Sequence, residues 1–277
     1  MSIAVGFNCC DGVVLATDTL YSGSTQNQHG PKMWLLQERD PVVMFAAAGS
    51  VPAIVRAKEE IQRKLKPGMD LSKRLEEIDQ QLARINVKFP PLSGWPSVQA
   101  LVAIRIGRGV SLYQNEINTT ALSPVSKPWV CIGQEALGGY FAAFLFNEGT
   151  SIEWASVVAA HLVWNCKTYA DGFCGGETHI GQLPKKGEPQ LITGQAEVFM
   201  LEEHLRGLER AYRAVLPGGS PRESESPEAL KARARVIVQA IQEAEMISFT
   251  DLGDSIEDPR SPQDSTRGRK RQPPSPE

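Results

Sequence analysis

An α+β fold, in which antiparallel hairpins alternate with pairs of helices, is predicted by three features of the 277-residue sequence. β-rich runs over 2–9 and 13–19 flank Asp11-Gly12, a two-residue hairpin signal. A second pair of such runs, VQALVAIRI and VSLYQNEI, flanks Gly107-Arg108-Gly109. After each hairpin come segments whose apolar residues recur at helical spacing or fill the whole helix.

In chain order, the first hairpin returns the chain to Asp18, at the end of VVLATDT. The Gly-, Ser-, Asn- and Gln-rich stretch up to Pro31 reads as a loop, and Lys32 opens the apolar run KMWLL. Beyond the turn at Glu38-Arg39-Asp40-Pro41, VVMFAAAG reads as a buried strand ending at Gly49, with Ser50 or its neighbour capping the next helix. A strand, a glycine turn and a helix start in succession leave backbone N–H groups pointing outward, the material of an oxyanion site.

Ile54, Ala57, Ile61 and Leu65 form one helical face over 50–65, and Leu71, Leu75, Ile78, Leu82 and Ile85 form another over 70–87. Pro67-Gly68 separates them, and Pro90 to Pro96 is a loop. WVCIG adds a strand ending at Gly133. Segments 134–147 and 152–169 are apolar on all sides, which predicts helices buried between layers or at a subunit contact. Asp171-Gly172-Phe173-Cys174-Gly175-Gly176 leads into the strand ETHIGQL, EPQLIT reads as one more strand, and 195–216 as an amphipathic helix. A linker, PGGSPRESESPE, precedes a helical segment at 228–247, and the Pro-, Ser- and Arg-rich end from about 251 lacks the apolar content to fold. Its RGRKR stretch reads as a solvated charge cluster in preference to a nucleic-acid contact. The domain expectation is therefore a core over 2–193, a helical extension over 194–250 and a disordered tail over 251–277.

Composition narrows the function classes. The chain is 42% hydrophobic and 22% charged, ordinary for a globular protein, and its net charge of −3 supplies no basic field for nucleic acid or a membrane surface. No signal peptide is read, and no apolar run reaches the roughly 18 residues of a membrane span, so a soluble cytoplasmic protein is expected. Five cysteines, two of them adjacent, lack zinc-ligand spacing and an even count, which disfavours both a metal site and a disulfide framework.

Ser2 stands out chemically. Removal of Met1 would place a free α-amine, titrating near about 7.7–8.0, beside the Ser2 hydroxyl, so that nucleophile and base belong to one residue. GFNCCDGVVLATDT, HGPKMWLL, VVMFAAAGS and the D-x-x-x-G-G element at Asp171 together resemble proteasome β-type subunits and the related bacterial peptidases, which are N-terminal nucleophile hydrolases. The resemblance spans about residues 2–183. It implies a four-layer αββα sandwich, here with extra C-terminal helices, consistent with the hairpin and helix-pair order.

The resemblance also implies roles. Ser2 falls at the family's N-terminal threonine, Asp18 at its acid and Lys32 at the lysine paired with that acid. Gly49 falls at the glycine whose N–H stabilises the oxyanion, and Asp171 at a supporting aspartate near the terminal amine. Two positions depart from the pattern: family serines that hydrogen-bond the amine are Gln134 and Cys174 here. Tyr21, Gly30 and Val51 fall near a specificity pocket, suggesting hydrophobic preference. The family's rings sequester their active sites. The expectation is thus a self-compartmentalising peptidase hydrolysing peptides or polypeptides through an acyl-enzyme on Ser2, as a homo-oligomeric ring with an unfoldase as a candidate partner and with no metal or organic cofactor. The rival readings are a non-catalytic ring or scaffold subunit, which Gln134 and Cys174 favour, and a small-molecule amidase on the same fold.

Overall fold

The computed structural model describes residues 2–22, 27–90, 97–115, 121–134, 138–139, 142, 145–147, 149–170 and 172–215, omitting the side chains of 22, 27 and 207–215. The helix expected at 228–247, the tail over 251–277 and Asp171 lie outside these residues, as does half of the segment expected to be helical over 134–147.

Two antiparallel five-stranded sheets form the centre. The first contains β1 (Ile3–Cys9), β2 (Gly12–Asp18), β10 (Trp129–Gly133), β11 (Thr178–Pro184) and β12 (Gln190–Ile192), in the order β10-β1-β2-β11-β12. The second contains β5 (Met33–Gln37), β6 (Val42–Gly49), β7 (Val98–Ile106), β8 (Gly109–Asn115) and β9 (Leu122–Pro124), in sequence order. The stretch expected to be a loop before Pro31 also carries a short ladder, β3 (Leu20–Ser22) with β4 (Asn27–His29). Its polar composition hides the pairing, because three-residue strands need no apolar alternation.

Alternation along the strands distributes the core. In β6, Val43, Phe45 and Ala47 pack with Ile54, Ala57 and Ile61 of α1 (Val51–Lys64) and Ile78, Leu82 and Ile85 of α2 (Leu71–Lys88). Their neighbours Val42, Met44, Ala46 and Ala48 pack with Ala4, Val13, Leu15 and Leu183 of the first sheet. The other face of that sheet, through Ile3, Val5, Phe7, Val14, Ala16 and Ile180, meets α3 (Ile152–Tyr169). Ser50 occupies the N-cap position of α1, but its side chain makes no capping bond there.

The all-round apolarity of α3 has a local cause. Its outer side is covered by α4 (Gln195–Val215), whose Leu201 and Leu205 join the same core, with His204 edge-on to Trp154 and Arg206 over Trp164 at 4.6 Å. His204 is therefore half-buried. No described helix is long and apolar enough to cross a membrane.

The first hairpin turn does more than reverse the chain. The Asp11 carboxylate accepts from Ile152 N at 2.9 Å, satisfying an orphan donor of the first turn of α3, and the Asp11 carbonyl accepts from Lys185 N at 2.8 Å. A Cβ on Gly12 would fall 2.4 Å from the Leu183 carbonyl oxygen and 2.5 Å from Ile152 Cδ1. Asp11→Ala is expected to lower unfolding free energy by about 1 kcal/mol, as loss of a helix-start acceptor does, with Asp11→Asn retaining most of it. Urea midpoints for the two variants check this.

Candidate active site

β1 and β2 pair with Ala4 opposite Thr17, so the residue entering β1 and the residue ending β2 come to the same edge of the first sheet. These are Ser2 and Asp18. Lys32, immediately before β5, reaches them from the second sheet. Its Nζ donates to Ser2 Oγ at 2.7 Å, to Asp18 Oδ1 at 2.7 Å and to the Leu20 carbonyl. Asp18 and Lys32 are each 0% exposed, and Ser2 is 2% exposed.

Every arm of the pair is occupied. Asp18 Oδ1 also accepts from Ile3 N, and Oδ2 from Gly175 N, both at 3.1 Å. Three donors therefore hold the carboxylate, and three acceptors meet the three protons of the ammonium. Burial pushes the Lys32 pKa below its ordinary 10.5, and the charge and hydrogen bond of Asp18 oppose that drop. The ammonium is thus easier to deprotonate than a surface lysine while still bonded to the Ser2 hydroxyl. A cation at 2.7 Å from Oγ stabilises negative charge developing on that oxygen. The Lys32 ammonium also lies 5.1 Å from the Tyr21 ring centroid, and Tyr21 O–H donates to the Pro31 carbonyl.

The backbone of Ser2 is held as tightly. Its carbonyl accepts from Gln134 N at 3.1 Å. Gly133, at φ +80°, has no room for a side chain: a Cβ there would lie 2.0 Å from the Ser2 carbonyl oxygen and 3.2 Å from Ala48 Cβ. The Ser2 carbonyl and Ala48, at the end of β6, therefore both lie close against Gly133. Gly49 follows Ala48 there, exposed and at φ +134°, a conformation that a glycine adopts without strain. A Cβ on it would fall 2.2 Å from the Ser97 carbonyl oxygen.

The structure thus brings Ser2, Asp18 and Lys32 into direct contact, with Gly49 one residue beyond Ala48. Cys174 sits on the connection that supplies Gly175 N–H to Asp18 and is 1% exposed. Burial and the nearby Asp18 charge push its thiol from 9.0 up to about 12, against the pull of Lys32. It is a protonated, inert group at neutral pH. His179, near the same strand end, pairs with Glu177 at 3.7 Å, and burial lowers its pKa. Three contributors escaped the sequence reading: the Leu20 carbonyl and the Ile3 and Gly175 amides. Backbone groups carry no residue-type signature, although the glycine pair at 175–176 marked where the chain approaches closely.

A cavity of about 500 Å3 lies elsewhere, lined by residues including Gln99, Asn115, Lys127 and Trp129, and none of Ser2, Asp18 or Lys32 lines it. It adjoins the site through Gln99, whose Oε1 accepts from Gly133 N at 2.9 Å.

Solved structures resemble the fold over most of the chain. Anbu from Yersinia bercovieri, described as an ancestral beta-subunit, aligns with a TM-score of 0.66 at 15% identity, covering 79% of this chain and all of that one. The fold is that of the Anbu proteins. Anbu from Hyphomicrobium sp. strain MC1 aligns at 0.64 and 13% identity, over 80% of this chain and 99% of that one. The Anbu complex of Pseudomonas aeruginosa, solved as a helical assembly, aligns at 0.64 and 14%, over 81% and 100%. No family model and no curated protein matches the sequence.

The buried thiols set a pH limit on the fold. Burial raises Cys9 and Cys174 from 9.0 to about 12, and raises Cys166 as well. Between the unfolded and folded values the unfolded chain binds fewer protons, so stability is full below pH 9 and falls as pH rises through the folded values. The lowered Lys32 acts in the opposite direction, but it is one group against the three thiols and Tyr21, which burial and Asp18 raise to about 12. The thermal midpoint is expected to fall steadily above pH 9, and Cys174→Ala to reduce that slope; melting curves from pH 8 to 11 check both.

Proposed function

We propose that this protein is a self-compartmentalising peptidase that hydrolyses peptide bonds through an acyl-enzyme on Ser2. The observation that carries the reading is the position of Lys32 Nζ, 2.7 Å from both Ser2 Oγ and Asp18 Oδ1 in a fully buried pair. A lysine held this way faces the hydroxyl with its charge, where it can offset negative charge on Oγ as well as pair with Asp18.

In this reading, loss of Met1 frees the Ser2 α-amine. Ser2 Oγ attacks the substrate carbonyl carbon while its proton passes to that amine, directly or through water, and the carbonyl electron pair moves onto oxygen. Gly49 N–H holds the oxyanion, and Lys32, fixed by Asp18, offsets charge on Oγ as the proton leaves. Collapse expels the leaving amine, which takes the proton from the α-ammonium. Water activated by the amine then hydrolyses the ester. Asp171 supports the amine electrostatically, and Cys174 packs beside Asp18 without chemical work.

The wider setting is proposed with it. A four-layer αββα sandwich over 2–193 is supported by the three apolar clusters, one between the sheets and one beneath each helix layer. A homo-oligomer, a ring with enclosed sites in the cytoplasm that an unfoldase could supply, is supported by the shared fold and by the helical assembly of the Pseudomonas aeruginosa neighbour.

One observation favours a second reading, a non-catalytic assembly subunit: Ser2 is 2% exposed, which leaves the hydroxyl little access to a substrate carbonyl. Reaction with an electrophilic peptide probe separates the two. Ser2→Ala is expected to reduce hydrolysis of fluorogenic peptides by roughly a thousandfold or more while particle size in solution stays unchanged. Intact mass should show Met1 removed and one probe adduct on the N-terminal peptide. Retained Met1 without adduct, or undiminished turnover in Ser2→Ala, would overturn the peptidase reading.

A further inference from the structure

The connection between α3 and β11 controls the Lys32 cluster more than its sequence suggests. Gly175 touches two of the three groups that receive the Lys32 protons. Its N–H donates to Asp18 Oδ2 at 3.1 Å, and its carbonyl accepts from Thr19 N at 3.2 Å and Leu20 N at 3.0 Å. Glu177 N adds a bond to Thr19 Oγ1 at 2.8 Å. Asp18 and Leu20 thus owe their positions to this short segment as much as to β2.

The segment is itself tied at both ends by the C-terminal helix. Lys167, in the last turn of α3, donates to Thr178 Oγ1 at 2.7 Å, across the segment from its start to its finish. Glu202 of α4 completes the tie: its Oε1 accepts from Thr178 Oγ1 at 2.7 Å and from Lys167 Nζ at 2.9 Å. Thr178 is the register partner of Asp18 in the first sheet, so the tie ends directly opposite the catalytic carboxylate. At the other end of the same helix face, Gln195 Nε2 donates to Glu177 Oε1 at 2.6 Å. Thr178 and Glu202 are buried and the Lys167 ammonium is nearly so. Loss of one partner would leave the others desolvated and unpaired.

We propose that Glu202 is a positioning residue for the Ser2 site, and that α4 fastens the 170–177 connection so that Gly175 holds Asp18 and Leu20 around Lys32. The proposal rests on the peptidase reading for its functional meaning, but its physical content is that the connection opens when the Glu202 tie is cut. Cys174, buried in the connection, is a built-in reporter of that opening, while Cys131 and Cys166 lie in the adjoining core and report on wider unfolding.

The full-length protein and its Glu202→Ala and Glu202→Gln variants would be labelled with N-ethylmaleimide at neutral pH under native conditions, with peptide-resolved mass spectrometry, and assayed on a fluorogenic peptide. Glu202→Ala is expected to speed Cys174 labelling by about tenfold or more, as loss of one buried tie shifts a local opening, with Cys131 and Cys166 unchanged. Its kcat is expected to fall about 10- to 100-fold, the cost of a misplaced catalytic group, with KM unmoved. Glu202→Gln keeps an acceptor for Thr178 and should restore most of both. Unchanged Cys174 labelling in Glu202→Ala would overturn the proposal. Equal acceleration at all three cysteines would also overturn it, because the helix would then serve only global stability. Labelling needs no turnover, so a protein inactive for want of a working Ser2 is distinguished from one whose connection Glu202 does not hold.

Discussion

The buried pair of Lys32 and Asp18 is the constraint around which this molecule is built. Two opposite charges withdrawn fully from water lose several kcal/mol of solvation each, and mutual attraction recovers this only when every remaining donor and acceptor is met. Here they are met from three stretches of chain: the start of β1 through the Ser2 hydroxyl and Ile3 N, the entry to β3 through the Leu20 carbonyl, and the α3–β11 connection through Gly175 N. These three stretches converge because the pair tolerates no gap. The nucleophile candidate is thereby one of the groups that makes the pair affordable.

The same logic explains why the C-terminal helix is not an appendage. α3 is apolar on the side facing the first sheet and on the side facing away from it, and the second side requires a cover. α4 supplies it with Leu201 and Leu205, and with its own buried polar tie to Lys167 and Thr178. A helix that covers the core also holds the end of the connection carrying Gly175, so burial and site geometry are served by one contact surface.

The two departures from the family pattern look different once their surroundings are known. Gln134 meets Ser2 through its backbone N–H, a contact that any residue except proline provides, so the change from serine leaves the Ser2 carbonyl held. Cys174 replaces a hydroxyl with a thiol kept protonated by burial and by Asp18, and the neighbouring Gly175 amide supplies the donor to the carboxylate.

Much of this was legible in the residues. Asp11-Gly12 marked the first hairpin and the periodic apolar faces marked α1 and α2, because side-chain period and turn chemistry are local properties written in residue type, while the motif resemblance implied Ser2, Asp18, Lys32 and Gly49 as the candidate site. The ladder of β3 and β4 was not, because its polar composition hides the pairing, nor was the division of the core into three clusters, which depends on which strands meet across long separations. By itself the sequence determined most of the elements and supplied the candidate side chains. Only the tertiary structure decided that the Leu20 carbonyl and the Ile3 and Gly175 amides close the shell around Lys32 and Asp18, and that Glu202 lies behind them. Backbone polar groups are the same in every residue, and their partners are chosen by packing.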